Sequence, residues 1–378
     1  MPLSIPGATA PGHLVAVAHP SAELYGSDLQ LVESVRALVA RQWAVRVYLP
    51  EDGPLVRLLR DAGAHVEIHA FPVLRRSALS ARGLARYARD ALRAHLDISA
   101  HLAATRPDVV VVNTLTIPPW LTAARQRSVP TVCHVHEAEE TAGRPVRTAL
   151  ALPTALASVV VVNSQASLTA LVDVVPALRA RARVVYNGVA GPAPDGDAPR
   201  PGMEGAEGLE GAEGKDVPLG ATTRPSRLVV VGRLSPRKGT DVALEAVALL
   251  VTRGYDVQLD VCGSAFSGYE WFEAELHARA SRPDLAGRVT FHGYVNPTWP
   301  HLTRARVVLV PSRQEPFGNT AVEAMLARRP VVASDVQGLR EIVDDGVDGV
   351  LVPAGDAVAL ADAVARLLDD PAHAGRLA

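Results

Sequence analysis

The strongest constraint on the fold is a series of short β-branched runs that are apolar at nearly every position. In the first half they are LVAVAH (14–19), VRVYLP (45–50), HVEIHA (65–70), VVVVN (109–113), TVCHVH (131–136), SVVVVN (158–163) and RVVYN (183–187). The second half repeats the theme with RLVVVG (227–232), VQLDVCG (257–263), RVTFHG (288–293), RVVLVPS (306–312), PVVASD (330–335) and GVLVP (349–353). A strand with one wet face alternates apolar and polar residues; a strand covered on both faces does not. Helical patterns such as DLQLVESVRALVARQ (28–42) and DVALEAVALLVTRG (241–254) lie between several of the runs. The pattern predicts an α/β chain with two doubly wound, Rossmann-like domains.

The 378 residues suit two domains of roughly 100–200 residues each, and 48% hydrophobic content supplies two cores. The expected boundaries are 1–188, a linker at 189–225, and 226–378. Within the linker, GPAPDGDAPRPGMEGAEGLEGAEGKDVPLG (191–220) has almost nothing to bury and reads as a disordered insertion. A net charge of -2 gives no global field for nucleic acid. Cys133 and Cys262 sit inside apolar runs and read as buried, reduced thiols. The N-terminal MPLSIPGATAPGH lacks the basic and apolar parts of a secretory signal, and no apolar run approaches the ~20 residues of a spanning helix. The expectation is a cytoplasmic protein, with peripheral contact at the inner membrane face as its variant.

A cleft between two such domains is the default ligand site, lined by loops at the carboxyl ends of the strands. Neither half has GxGxxG after its first strand, which argues against a nicotinamide or flavin dehydrogenase. In EPFGNTAVEAML (315–326), Pro316 extends the backbone at Glu315, Gly318 allows a tight turn, and Asn319 or Thr320 can cap the helix that follows. Glu323 then falls in the first helical turn, and the backbone N–H groups of Gly318, Asn319 and Thr320 form an anion cradle. Carboxylates on either side suit sugar hydroxyls.

Upstream, VGRLSPRKGTDVALEA (231–246) places Arg233, Arg237 and Lys238 on a short loop before Gly239, where fixed cations could neutralise a diphosphate. In TVCHVHEAEE (131–140), His134 and His136 share a strand face. A metal held there with Glu137, Glu139 or Glu140 is the minor reading. In HPSAELYGSDLQLVES (19–34) a loop holds Tyr25, Gly26, Ser27 and Asp28, with Ser27 or Asp28 able to cap the next helix.

Together these elements resemble the family-4 retaining glycosyltransferases of GT-B fold. The Glu-x7-Glu element (Glu315, Glu323), GRLSPRKG and VVYNGV (184–189) carry the resemblance, which runs from about residue 14 to the end apart from the insertion. It implies a nucleotide-diphosphate sugar, such as a UDP- or GDP-sugar, on the C-terminal half. Arg233 and Lys238 would hold the diphosphate, Glu315 the donor sugar, and Glu323 the ribose. The base would meet the backbone near Val295 in HGYV (292–295). Gly318, Asn319 and Thr320 would back the phosphate and sugar. Gly26 would approach the diphosphate, with Tyr25 and Ser27 on the acceptor side, and His136 would stand near the reacting sugar. No cofactor or metal is expected. Family members usually continue past DDPAHAGRLA with helices that cross back to the first domain, so a truncated end is expected here. The alternatives are a GT-B sugar-nucleotide epimerase and an inactive GT-B binding module.

A further pattern lies in LSARGLARYARDALRAHL (79–96). Arg82, Arg86, Arg89 and Arg93 stack on one helix face, with Leu84, Tyr87 and Ala91 opposite and Arg75 and Arg76 just before. Such a stripe is either a solvated face or a docking strip for an anionic membrane or lipid-linked acceptor.

Overall fold

A computed structural model describes residues 12–74, 80–137, 143–192, 225–266 and 268–378. Two compact units divide the chain, Met1–Gly188 and Val189–Ala378. The first contains β1 (Leu14–Ala18), α1 (Gly26–Ala40), β2 (Ala44–Leu49), α2 (Pro54–Asp61), β3 (His65–Ile68), α3 (Ala81–Thr105), β4 (Val109–Val112), α4 (Pro118–Gln126), β5 (Thr131–Val135), α5 (Arg144–Ala151), β6 (Val159–Val162), α6 (Gln165–Val174) and β7 (Ala182–Val184). The second contains β8 (Ser226–Val231), α7 (Thr240–Thr252), β9 (Val257–Cys262), α8 (Glu270–Ala280), β10 (Val289–Gly293), α9 (Trp299–Leu302), β11 (Val307–Val310), α10 (Asn319–Leu326), β12 (Val331–Ser334), α11 (Leu339–Ile342), β13 (Val350–Val352), α12 (Ala357–Asp369) and α13 (Pro371–Leu377).

The strands form a seven-stranded sheet, ordered β3-β2-β1-β4-β5-β6-β7, and a six-stranded sheet, ordered β10-β9-β8-β11-β12-β13. Every pairing is parallel. Each apolar run of the sequence coincides with one of these strands. Their lack of alternation has a direct cause. Ala16 and Ala18 pack with Ile98 and Leu102 of α3 and Trp120 of α4, whereas Val15 and Val17 turn to the other face, against Leu31 and Val35 of α1 and Leu55 and Leu59 of α2. In the second sheet Leu228 and Val230 meet Val247 of α7 and Val364 of α12, while Val229 and Val308 meet Ala321 and Ala324 of α10. Truncating a fully buried side chain here, such as Leu228→Ala, should cost about 2–5 kcal/mol.

Strand order reverses between β1 and β4 and between β8 and β11. Crossovers on either side of such a point run to opposite faces and leave a crevice at the carboxyl ends of the strands. The residues just after β1, β4, β8 and β11 are therefore where each sheet can present chemistry.

Some expectations need correction. α1 starts at Gly26, so Gly26 and Ser27 lie in its first turn rather than in a loop, and Tyr25 is the cap residue. α3 runs on to Thr105, and Leu84 is 56% exposed. Full burial on α3 begins at Ala94; Tyr87 and Ala91 are half-buried. Arg82, Arg86, Arg89 and Arg93 are all exposed. Arg75, Arg76, Glu139, Glu140 and nearly all of the 191–220 segment lie outside the described residues. Both cysteines are buried and free, and burial pushes the Cys262 thiol up to about 12. Among the described residues, no helix is long and apolar enough to cross a membrane.

Candidate functional site

In the second unit, the loop after β11 carries the chemistry. Glu315 is 7% exposed, and its Oε2 accepts from Lys238 Nζ at 2.5 Å and from Ser312 Oγ at 3.1 Å. Burial pushes this carboxyl up, but the charges of Lys238 and Arg237 and the two hydrogen bonds overcome that and hold it below the usual range. The backbone of Glu315 is fixed from the loop after β12: its N–H donates to Gln337 Oε1 at 2.8 Å, and its carbonyl accepts from Gly338 N at 3.0 Å. Gln337 does this from a left-handed backbone, φ 36.

Lys238 reaches Glu315 because two loops are tied together. Arg313 N donates to Arg237 O at 2.8 Å, and the Arg313 guanidinium forks onto Asp241 at 2.8 and 2.6 Å. Gly239 sits at φ 69, and a Cβ there would stand 1.9 Å from Pro311 O. Only glycine lets the two backbones come that close. Lys238 Nζ has no second acceptor among the described residues, so two of its three protons remain available.

The α10 cap differs from expectation. Neither Asn319 nor Thr320 caps it; Gly318 does, at φ 126, without a side-chain bond. A Cβ at Gly318 would stand 2.7 Å from Leu339 Cδ2, which excludes a side-chain cap from that position. The helix consequently begins at Asn319, and Glu323 lies one turn in rather than in the first turn. The first-turn N–H groups point out of the N-terminal end of the helix, where Ala321 N closes onto Gly318 O at 2.9 Å. Thr320 Oγ1 turns back to Val231 O at 3.4 Å. Glu323 accepts from Thr298 Oγ1 at 3.1 Å, and burial raises its pKa despite that bond and the Lys238 charge. Arg233 places its guanidinium 5.2 Å from the Phe266 ring centroid, a cation–π contact. Val295 is half-buried beside the same apolar cluster as α10.

In the first unit, His136 Nε2 lies 2.9 Å from Asn113 Oδ1. Burial first, then His134 and His19, hold the imidazole well below its usual pKa, so it is neutral. The rings of His134 and His136 lie 3.9 Å apart, and burial lowers His134 to about 4. Asp28 is not the N-cap residue of α1 but closes its capping box. It sits at its third position, where Oδ2 accepts the Tyr25 N–H at 2.8 Å. Gly26 is exposed and Ser27 half-buried.

Glu137 is committed to the Thr114 hydroxyl and to His136 N, which leaves it poorly placed to join a metal site with the two histidines. Among the described residues one group has ligand atoms close enough for a metal: Asp260, His292 and His301, all within 4.8 Å. Its carboxylate already takes two hydrogen bonds from Arg227, at 2.9 and 2.6 Å, so the pair is charge-neutral before any cation arrives.

Sequence reasoning missed Ser312 as a partner of Glu315, and also Gln337, Thr298, Asn113 and the role of His19. Asn113 and His19 had a signal: each is the first polar residue after an apolar strand. Gln337 and Thr298 had none, because they act on distant residues through loops.

The Glycosyltransferase Family 4 model matches residues 26–190, and the model described as glycosyl transferases group 1 matches residues 225–370. Curated relatives include an alpha-D-kanosaminyltransferase of Streptomyces kanamyceticus, 35% identical over 161 residues, covering 42% of this chain and 40% of the relative. A D-inositol 3-phosphate glycosyltransferase of Arthrobacter sp. (strain FB24) is 38% identical over 162 residues, covering 42% and 38%. The match thus spans about two fifths of the length of these relatives. Among solved structures, Anabaena Alr3699/HepE in complex with UDP-glucose aligns over 97% of this chain and 92% of its own, with TM-score 0.73 and 23% identity. At that identity the likeness speaks to the fold, which is the GT-B one of two parallel-sheet α/β units. With family models matched in both units, the chain belongs to the family-4, group-1 glycosyltransferases.

Proposed function

We propose that the protein is a retaining, metal-independent glycosyltransferase that moves a hexose from a UDP- or GDP-sugar to a glycan, lipid-linked or small-molecule acceptor in cell-envelope or exopolysaccharide synthesis. The observation that carries this reading is the Lys238–Glu315 pair beside the α10 N-terminus. One Lys238 proton is fixed by Glu315, which aims the ammonium and leaves two protons for phosphate oxygens. Arg233 adds a second cation, and the α10 N–H groups a third source of positive potential. As the sugar–phosphate bond breaks, charge grows on the diphosphate, and groups already aimed at it need no reorganisation. Glu315 and Glu323, as acceptors, suit sugar and ribose hydroxyls. In this reading His136 contacts the sugar being transferred, and the arginine stripe of α3 faces an anionic acceptor or the inner membrane surface.

A thermal-shift panel of UDP-, GDP- and ADP-sugars tests the reading, with Arg233→Ala as control. A ligand at a hundred times its Kd adds about 2.7 kcal/mol of stability. A shift for one base that is lost in the variant supports a donor site. No shift for any donor defeats it and favours a binding module without transferase chemistry.

A further inference from the structure

The reversal point of the first sheet carries a buried chain of side chains. Ala18 pairs with Val112 across β1 and β4, so the next residues, His19 and Asn113, leave the sheet side by side. Asn113 Nδ2 lies 2.9 Å from His19 Nδ1, and Asn113 Oδ1 lies 2.9 Å from His136 Nε2. At the other end His19 Nε2 lies 2.7 Å from Asp28 Oδ1, while Asp28 Oδ2 takes the Tyr25 N–H. His19, Asp28 and Asn113 are all buried.

The chain has a direction. An ionised carboxylate only accepts, so His19 presents a proton at Nε2. The Asn113 amide NH2 faces His19 Nδ1, so that nitrogen accepts. Asn113 is left with its carbonyl oxygen toward His136, and that oxygen accepts a proton from Nε2. Neutral His136 keeps its remaining lone pair on Nδ1, which makes no hydrogen bond among the described residues. The orientation of one ring nitrogen is set by what the other one bonds.

Building on the reading of His136 as a substrate contact, we propose that Asp28, His19 and Asn113 are positioning residues that hold His136 as the Nε2–H tautomer and so make Nδ1 an acceptor for a hydroxyl of the transferred sugar. The partner is then a hydroxyl and not a phosphate oxygen, since two acceptors repel. The opposite state is well defined. With the Asn113 amide turned round, His136 Nε2 would accept, and Nδ1–H would become a donor suited to phosphate.

Long-range proton–nitrogen correlation spectra of the full chain with labelled histidine read this without any substrate. His136→Gln assigns the signal. The expected wild-type spectrum shows His136 protonated at Nε2 and bare at Nδ1, and Asn113→Ala mixes the two tautomers while circular dichroism is unchanged. With a working donor, kcat/KM should fall about tenfold in Asn113→Ala and in His19→Phe, as expected when a group that orients a ligand-binding histidine is removed. A wild-type His136 that is protonated at Nδ1, or a tautomer unmoved in Asn113→Ala, overturns the proposal. Failure of every sugar nucleotide to bind overturns the function reading instead, and the spectra still decide the tautomer.

Discussion

Lys238 Nζ meets Glu315 Oε2 at 2.5 Å across 77 residues of sequence, with both side chains largely buried. Removing one partner of a buried ion pair strands the other charge, which typically costs about 3–5 kcal/mol, while removing both costs far less. Lys238→Met should therefore lower unfolding free energy by about 3 kcal/mol and abolish sugar transfer. The double variant Lys238→Met/Glu315→Gln should recover much of the stability but none of the activity. Urea titration followed by tryptophan fluorescence gives the cycle, and strictly additive losses would show that the pair is not coupled.

Glu315 and Glu323 should leave opposite marks on the pH dependence of stability. The folded pKa of Glu315 is depressed. Its contribution is thus fully present above its ordinary value of 4.5 and is lost as pH falls through the folded pKa. The folded pKa of Glu323 is raised. The native chain keeps that proton longer than the unfolded one, so stability falls as pH climbs from 4.5 through the folded value. Urea midpoints between about pH 3 and about pH 7 should show wild type pulling ahead of Glu315→Gln as pH rises, and Glu323→Gln pulling ahead of wild type. Two curves parallel to wild type would contradict both assignments.

Gly239 is the position where a methyl group should do the most damage to the donor loop. Its φ of 69 disfavours any side chain, and the added Cβ would overlap Pro311 O at 1.9 Å. The loops carrying Lys238 and Glu315 would have to part. Gly239→Ala should cost more than about 1 kcal/mol and remove the donor-induced thermal shift. Gly191→Ala, which meets nothing within 4 Å and has an ordinary φ, is the matched control and should change neither. A Gly239→Ala protein with a normal shift would show that the loops close by another route.

The fold was legible because its signal is local and repeated. Each strand spells itself out in three to six residues, the central ones covered on two faces, and no single substitution could blur the series. The site was legible only where backbone chemistry marks it. Pro316 and Gly318 around Glu315, and Gly239 after Lys238, announce turns, so the pair could be found without knowing that the two residues touch. Asn319 and Thr320 have the side chains of cap residues, yet the α10 cap falls one residue earlier, at Gly318, which sits against Leu339; Asp28 caps α1 only from its third position, with one oxygen on Tyr25 N and the other on His19. Partnerships such as Gln337 with Glu315, or Asn113 with His136, depend on tertiary placement that spacing does not encode.

The exposed face of α3 joins charge to apolar surface. Leu92 and Leu96 follow Arg89 and Arg93 at i+3, so they flank the stripe; they are 63% and 62% exposed. Arg89 is partly neutralised by its bond to Asp90, whereas Arg82, Arg86 and Arg93 have no such partner among the described residues. Each arginine near an anionic surface is worth about 1 kcal/mol, and that attraction fades within a Debye length. The chain should therefore sediment with phosphatidylglycerol vesicles at low salt and be released as salt rises. Changing Arg82, Arg86, Arg89 and Arg93 to Gln should weaken binding more than tenfold, with turnover of a soluble acceptor unchanged. Leu92→Ser/Leu96→Ser should weaken it further at fixed charge. Equal binding to neutral phosphatidylcholine vesicles, or no loss in the arginine variant, would leave α3 as a solvated helix with no part in acceptor delivery.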